Sequence, residues 1–570
     1  MCSGTDRLIP LFASKRYEEV LVKEIDVPVL IVGGSLVGLS ASVALAAHGV
    51  PNLVVERHRG TAIHPRAAMF HQRTTEIFRE LGVLEEVERA AEREFLQNGA
   101  IMAVESLGGK ELVYFQENVN EGVEHLSPAP RLFITQIGLE PILRERAAAL
   151  GAEHRFAAEV VEFSQDDTGV RAVVRDRDTG EETLVRAQYL IAADGAHSAT
   201  REQLGIGMLG RGKFSDCITI YFKADVSELI GERNLSVTYV NHPDLLAFFR
   251  FSFAKDSGFL AVFKALDADG QPIADIGATA DDLALCTQFV RTALGVGEEL
   301  PIEIDSVQRW AAESGWAERF RDRRVFLIGD AVHVMPPTGG FGGNTGIIDA
   351  HNLAWKIAAV LQGKAGEGLL DTYDPERRPA AAMTAEQAYT RYVLRVDQSL
   401  GTDDLQETLD DVAIELGPVY SSAGVASGTP DAAGGVGSLH DRDSRTQNPR
   451  EPGAAVGGRA PHVAVSGAGR TSVHDVFGDG FVLLAGASGD AWLDAAAGAR
   501  IPGYRVGPGV ELDAAAGAFE EAYGVGADGA VLVRPDGVIA WASPTAAGAS
   551  AAALDAVLDA LLFRAAARVG

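Results

Sequence analysis

Two glycine-bearing segments, far apart in the chain, hold residue types whose spacing can do chemistry. The first, Val29-Leu30-Ile31-Val32-Gly33-Gly34-Ser35-Leu36-Val37-Gly38, reads as an apolar strand that turns on glycine into a helix. Such a turn aims free backbone N–H groups, and the positive end of a helix, at a pyrophosphate. Gly33, Ser35, Leu36, Val37 and Gly38 would line it. Glu56, with Arg57 behind it, ends the next strand, where an acid holds a ribose 2′-hydroxyl. The pattern departs from G-x-G-x-x-G at Ser35, whose hydroxyl can itself bond a phosphate oxygen. The second segment, Arg324-Val325-Phe326-Leu327-Ile328-Gly329-Asp330, is a buried strand with an acid at its carboxyl end. Pro336-Pro337-Thr338-Gly339-Gly340-Phe341-Gly342-Gly343-Asn344 follows, and a flat ring can approach bare backbone there. Together the two imply one long nucleotide cofactor held at both ends.

The elements that must position these residues follow from periodicity. Val27–Val32, Gly38–His48 and Leu53–Glu56 make the opening βαβ of a dinucleotide-binding α/β fold. Helical spacing marks Thr74–Leu81, Ile137–Leu150, Gly346–Leu361 and Ala380–Leu400. Val170–Arg175 and Thr183–Gln188 alternate like a hairpin around Asp178-Thr179-Gly180. Residues 215–264 carry short β-rich runs (Ile218–Phe222, Leu235–Val240, Leu246–Phe253, Phe259–Phe263), expected to form an antiparallel sheet inserted between two cofactor-binding portions. Composition shifts to Gly, Ala, Ser and Pro across Ser421–Pro461, a linker signature. Beyond it, Val531–Arg534 and Val538–Trp541 flank Pro535-Asp536-Gly537 as another hairpin. The expected units are an N-terminal extension (1–26), a discontinuous cofactor unit (27–206 with 305–400), a substrate sheet (207–304), a helix and linker (401–461) and a C-terminal domain (462–570).

Bulk properties narrow the function. A chain of 570 residues, 47% hydrophobic, has material for several cores. No apolar run approaches the roughly 20 residues of a membrane span, and Met1–Asp26 shows no signal-peptide core. The net charge of −29 argues against a nucleic-acid partner. Cys2, Cys217 and Cys286 show no metal or redox spacing, which suits a reducing cytoplasm. The histidines show no HExxH or Cys/His cluster, so no metal is expected. His333 reads as a structural member of the Gly329–Pro337 segment rather than a general base.

The glycine turn with Glu56, then Asp194-Gly195 in Tyr189–Ser198 with Arg201 behind, then Gly329-Asp330 running through Pro337 to Asp349–Lys356, resemble in order and interval the single-component FAD monooxygenases of the para-hydroxybenzoate hydroxylase type. The resemblance spans about residues 27–400. The length and tail are similar to the branch of aromatic-polyketide and phenol hydroxylases that carry a C-terminal thioredoxin-like domain without redox cysteines. The lack of any Cys after Cys286 agrees with this.

The resemblance implies a Rossmann-like FAD-binding domain. Gly33, Ser35, Gly38 and Glu56 would hold the ADP half of FAD. Arg66, in His64-Pro65-Arg66-Ala67, would reach the flavin and the NADPH or NADH donor, and Gln136 the ribityl–phosphate portion. Asp330 would bind the ribityl chain. Pro337, Gly340, Gly342, Gly343 and Asn344 would flank the isoalloxazine ring, with Arg66 and Pro337 forming its catalytic surroundings. Backbone N–H groups of Gly343 and Asn344 would stabilise charge at N1 and O2 of reduced flavin. The implied reaction adds O2 at flavin C4a and transfers the distal oxygen to an aromatic, phenolic or polyketide ring, in a monomer or homodimer. Alternatives are a Baeyer–Villiger oxygenase on the same scaffold and a non-catalytic flavin-binding protein. A flavin halogenase ranks below these, because its Trp-x-Trp-x-Ile-Pro signature is absent. Among the aromatics of the inserted sheet, alternate residues should face the flavin, and Tyr221, Tyr239 and Phe249 are the substrate candidates. Arg250 must point opposite to Phe249 and Phe251. An anchor for a phenolate or carboxylate, and a solvent-exposed arginine, both remain open for it.

Overall fold

Apolar residues at positions 29–31, 53–55, 190–192 and 325–327 are buried on both faces of one sheet, as parallel strands covered by helices require. The computed structural model describes residues 23–63, 68–267, 269–426, 446–467 and 469–564. Its first sheet runs in the order Arg321–Asp322, Val325–Leu327, Glu182–Ala192, Lys23–Val32, Asn52–Val55, Glu153–Arg155. Lys23–Val32 lies between Asn52–Val55 and Glu182–Ala192, parallel to both. The glycine turn leaves its carboxyl end into helix Leu36–Ala47, and Val325–Leu327 ends two strands away. Both signature segments therefore open at the same edge of one sheet, where α/β folds bind their ligands. The expected hairpin forms between Val170–Asp176 and Glu182–Ala192, pairing Arg175 with Glu182 across Gly180 at φ +75°.

The second sheet orders His333–Val334, Glu303–Ala317, Met208–Lys223, Ser257–Ala265, Leu245–Phe251, Leu235–His242, Ala100–Val104, Glu111–Gln116. It is larger than the sequence suggested. Glu303–Ala317 joins from the far side of the insertion, and Ala100–Val104 pairs parallel to Leu235–His242 from within the first unit. Helix Leu283–Leu294, not read from the sequence, covers one face of this sheet. Phe289, Val290 and Leu294 on it share a core with Ile218, Ile220, Phe222, Phe249, Leu260 and Val262. The other face carries Cys217, Tyr239 and Phe263, packed with Tyr392 of helix Tyr373–Arg395.

A third sheet, Leu512–Asp513, Gly503–Gly507, Val482–Gly486, Ala530–Val533, Ile539–Ser543, forms the C-terminal unit. Its core continues into the rest of the molecule: Trp355 and Leu369 pack with Phe481, Leu483, Trp492 and Leu532. The middle of the Gly/Ala-rich linker, residues 427–445, lies outside the described residues, as does the extension through residue 22. Among the described residues no helix is long and apolar enough to cross a membrane.

Candidate active site

The glycine turn is built so that only glycine fits. Gly33 adopts φ +105°, and a Cβ on it would collide with the Ala193 carbonyl, just as one on Gly38 would collide with the Gly33 carbonyl. The Gly33 N–H donates to the Val55 carbonyl at 2.8 Å, locking the turn onto the neighbouring strand. The Gly34 N–H donates to Glu56 Oε2 at 2.7 Å, and the His58 N–H to Glu56 Oε1 at 2.7 Å. Glu56 is thus buried at its strand end and fixed by backbone donors, with Arg57 exposed beside it.

Helix Leu36–Ala47 begins at Ser35, which makes no side-chain cap to its own helix. A carboxylate that sequence reasoning missed takes that place. Glu140 Oε1 accepts from Ser35 Oγ at 2.5 Å and from the Leu36 N–H at 2.9 Å, and its Oε2 accepts from the Ala62 N–H at 2.6 Å. Gln136 lies one turn before it on helix Gln136–Ala149 and donates to the same Glu140 oxygen at 3.2 Å. Burial holds the Glu140 carboxyl above its usual range even against the hydrogen bonds donated by Ser35, Ala62 and Leu36. The sequence held only a partial signal, that residues four apart on a helix share a face and Glu140 stands four after Gln136.

At the other signature, Asp330 sits exposed in the turn Gly329–Ala331. Pro337 is exposed, and the Gly340 N–H closes back onto its carbonyl at 2.9 Å. Gly340, at φ +69°, is the N-cap of helix Phe341–Leu361 and offers no side chain to the first N–H groups, leaving that helix end bare. The Asn344 side chain is otherwise engaged: it donates to Met69 and Gly340 carbonyls and accepts from the His71 N–H and Thr74 Oγ1. Only backbone N–H groups, here and at Gly342 and Gly343, are left to meet a ligand. Asp194 accepts from Ser198 Oγ and the Thr200 N–H, and so caps a short helix. His333 is fully buried with Nε2 2.7 Å from Asp349 Oδ2, and Asp349 also accepts from the Gly329 N–H and Arg377. That triad braces the loop rather than facing a ligand. Arg66 falls outside the described residues. The turn, Glu56 and Gln136 come together around Ser35, while Pro337–Asn344 forms a separate group at the start of the long helix.

The substrate candidates divide. Tyr239 lies on the sheet face turned toward helix Tyr373–Arg395, 6.0 Å from Phe248. Tyr221 is on that face too, 6.0 Å from Phe259, which is 5.6 Å from Phe248. Phe249 does not join them. It is fully buried in the core under helix Leu283–Leu294, against Phe222 and Phe251. The alternation of strands is the reason, and without the covering helix the sequence could not say which parity faced inward. Phe248, Phe259 and Arg250 lie on the face opposite Phe249, with Tyr221 and Tyr239. Among the described residues no cluster of His, Cys, Asp and Glu is arranged to hold a metal.

Comparison with known proteins agrees with this arrangement. Residues 26–388 match a family model described as an FAD binding domain, and residues 453–565 one described as the aromatic-ring hydroxylase C-terminal domain. The chain is 45% identical to a 4-methyl-5-nitrocatechol 5-monooxygenase of Burkholderia sp over 95% of its length and 98% of that protein's. It is 39% identical to the tetracenomycin B2 monooxygenase-dioxygenase of Streptomyces olivaceus, covering 95% and 99%. The crystal structure of aklavinone-11 hydroxylase with FAD and aklavinone superposes with a TM-score of 0.85 at 37% identity, covering 94% and 99%.

Proposed function

The chain belongs to the FAD-dependent aromatic-ring hydroxylases, and on that premise we propose that it inserts one oxygen atom from O2 into an ionisable phenolic ring, at the expense of NADH or NADPH. The substrate class is a catechol or a polyphenolic polyketide. A relative named for a nitrocatechol and others named for tetracenomycin and aklavinone support it. The observation that carries the reading is the aromatic sheet face of Tyr221, Tyr239, Phe248 and Phe259, turned away from the helix-covered core.

The residues fit FAD. Glycines at 33 and 38 leave a cradle that any Cβ would fill, and the helix end at Gly340–Gly343 carries no capping side chain. The Val37 backbone would meet the pyrophosphate, with Ser35, Leu36 and Gln136 beside it. Glu56 would hold the ribose and Asp330 the ribityl chain. Pro337 with the N–H groups of Gly342, Gly343 and Asn344 would border the ring, where the helix end favours negative charge. Arg66 would serve the flavin and the nicotinamide. When bound, FAD supplies the oxygen transfer itself. The chain's part is to orient the ring and exclude water, because an ionised phenol activates its own carbon for attack. This accounts for a site without a catalytic triad. The need for NAD(P)H, with Cys217 and Cys286 as free thiols, fits a cytoplasmic enzyme acting as monomer or homodimer.

The test is a panel of catechols and hydroxylated polyketides, read by stimulated NAD(P)H oxidation and by mass spectrometry. A product one oxygen heavier that is a new phenol is expected. A lactone or ring-expanded product would make the enzyme a Baeyer–Villiger oxygenase, and FAD binding without stimulated oxidation by any phenol would overturn the reading.

A further inference from the structure

Arg250 is buried, cationic and unmatched. It lies on strand Leu245–Phe251 with 4% of its surface exposed. Its register partner is Phe259, whose own partner on the other side is Tyr221, so the three form one row across the aromatic face. The guanidinium carbon sits 4.1 Å from the ring centroid of Phe95 and 4.5 Å from that of Phe133, both on the flavin unit. Arg250 Nε is buried with no hydrogen-bond partner.

The other buried arginines show how this chain normally treats such a group. Arg131, Arg377, Arg391, Arg459 and Arg534 are each ion-paired, to Glu415, Asp349, Asp411, Glu76 and Glu376. Arg201 donates to two backbone carbonyls. Arg250 has neither. The carboxylate close enough to be felt is Glu94, which is turned to the Thr135 N–H at 2.8 Å. Two phenyl faces attract a cation, but they accept none of the five hydrogen bonds a guanidinium donates. Burial draws the guanidinium down to about 9, far below where an arginine normally stands. A desolvated charge without a partner is costly, and a fold keeps one only where an anion is brought to it.

We propose that Arg250 is the substrate-anchoring residue, and that it takes an anionic ring oxygen, the phenolate of a phenol or catechol. The assignment rests on the sheet face being the substrate wall, as proposed above. It adds which residue of this chain would hold the ionised oxygen. Pairing with Arg250 would favour the phenolate over the phenol, which is also the electron-rich form that accepts an oxygen atom. The guanidinium, held between two rings, presents a planar fork suited to adjacent oxygens such as those of a catechol.

The experiment uses the full-length, FAD-loaded enzyme and two probes: 4-nitrocatechol, whose ionisation is read from its absorption, and its dimethyl ether, which cannot ionise. In wild type, 4-nitrocatechol should bind as the anion at a pH where it is mostly neutral in solution. Arg250→Met should weaken that binding roughly 10- to 100-fold, the worth of a charged hydrogen bond, and abolish the spectral shift. Arg250→Lys should restore part of both, since it keeps the charge but not the fork. Binding of the ether and FAD content should be unchanged in both variants. If Arg250→Met binds the anion as wild type does, or if it loses FAD instead, the assignment to Arg250 is overturned while the sheet-face reading stands. The wild-type spectrum needs no variant, and a probe bound in its neutral form overturns the proposal even if Arg250→Met fails to fold. If wild type binds neither probe and no phenol stimulates NAD(P)H oxidation, the sheet-face reading falls and this inference with it.

Discussion

The aromatic sheet face and the seam between helix Phe341–Leu361 and the C-terminal unit both bury arginines, and they treat them in opposite ways. In the seam, Glu376 is fully buried and accepts from both Arg534 nitrogens at 2.8 and 2.9 Å and from Lys356 Nζ at 2.7 Å. Asp536 completes Arg534, and Asn352 bridges Glu376 and Asp536. Nearby, Arg459 pairs with Glu76, and Arg79 with Asp475. Every charge there has its complement, and the result joins two units of the fold. On the sheet face, one guanidinium is left without any. A saturated buried network is a structural joint, whereas the unsaturated charge is the one proposed above to receive a ligand.

Cutting the saturated side should have the largest effect. Glu376→Ala leaves Arg534 and Lys356 buried with one carboxylate between them, and should cost about 3–5 kcal/mol. Denaturant unfolding followed by tryptophan fluorescence would show it, because Trp355 and Trp541 both belong to the shared core. Arg250→Met should behave differently and change stability by no more than about 1 kcal/mol, the worth of its contacts with two rings. If the two substitutions destabilise equally, the contrast between joint and ligand site fails.

The two sides of one strand sharpen the same contrast. Phe249→Ala empties a fully buried site under helix Leu283–Leu294 and should cost about 3–5 kcal/mol with little change in probe affinity. Phe248 is half-buried on the aromatic face. Phe248→Ala should cost less stability and should weaken 4-nitrocatechol binding. Equilibrium titration beside a melting curve separates the two, and identical behaviour would mean that parity does not divide core from pocket.

Acid should loosen the joint next. Attached cations hold the carboxyls of Glu376, Glu76, Asp349 and Asp536 below their ordinary values, Arg534, Arg459, Arg377 and Arg534 being their foremost partners. A folded-state value below the unfolded one contributes stability that is complete above the unfolded value, 4.5 for the glutamates. That stability is lost as pH falls through the folded value. Urea midpoints should therefore decline from about pH 6.5, where histidines kept neutral by burial, such as His474, take up protons in the unfolded chain first, and drop more steeply below about pH 4.5. Midpoints that hold in acid would show that the network contributes little.

Much of this was legible in the sequence because local chemistry decided it. The glycine turn, Glu56 at a strand end and the Pro337–Asn344 segment stand where backbone sterics put them, since no other residue fits Gly33 or Gly38. Helix boundaries shifted by a few residues: the long helix begins at Phe341, not Gly346, because Gly340 at positive φ starts it earlier. The residues missed depend on distant partners. Glu140 acquires its role only when helix Gln136–Ala149 packs beneath Ser35, more than one hundred residues away in sequence. Phe249 was placed on the wrong side because strand parity is relative until a covering element fixes it, and helix Leu283–Leu294 had gone unread. Arg250 was left open because burial and the lack of a carboxylate are properties of the assembled fold.

Lys356 gives the smallest and most discriminating effect. It is fully buried in the joint, yet its loss should be cheap, because Glu376 keeps both bonds from Arg534. Lys356→Met should change stability by about 1 kcal/mol or less, and replacing a buried ion by an apolar side chain of like length can even stabilise. Burial, which outweighs the attraction of Glu376, draws the lysine down to about 8 from 10.5. Between those values the unfolded chain binds more protons than the folded one, so stability should rise as pH increases from about 8 to 10.5. The rise belongs to Lys356, so the variant should lack it while sharing every other titration with wild type. Parallel denaturation curves across that interval supply the difference directly. If the two proteins keep a constant gap, Lys356 is held charged by its neighbours as firmly as Arg534, and the joint tolerates no loss. If wild type gains on the variant with rising pH, the arginine–carboxylate pairs alone hold the seam, and Arg250 is set apart by its missing partner rather than by its burial.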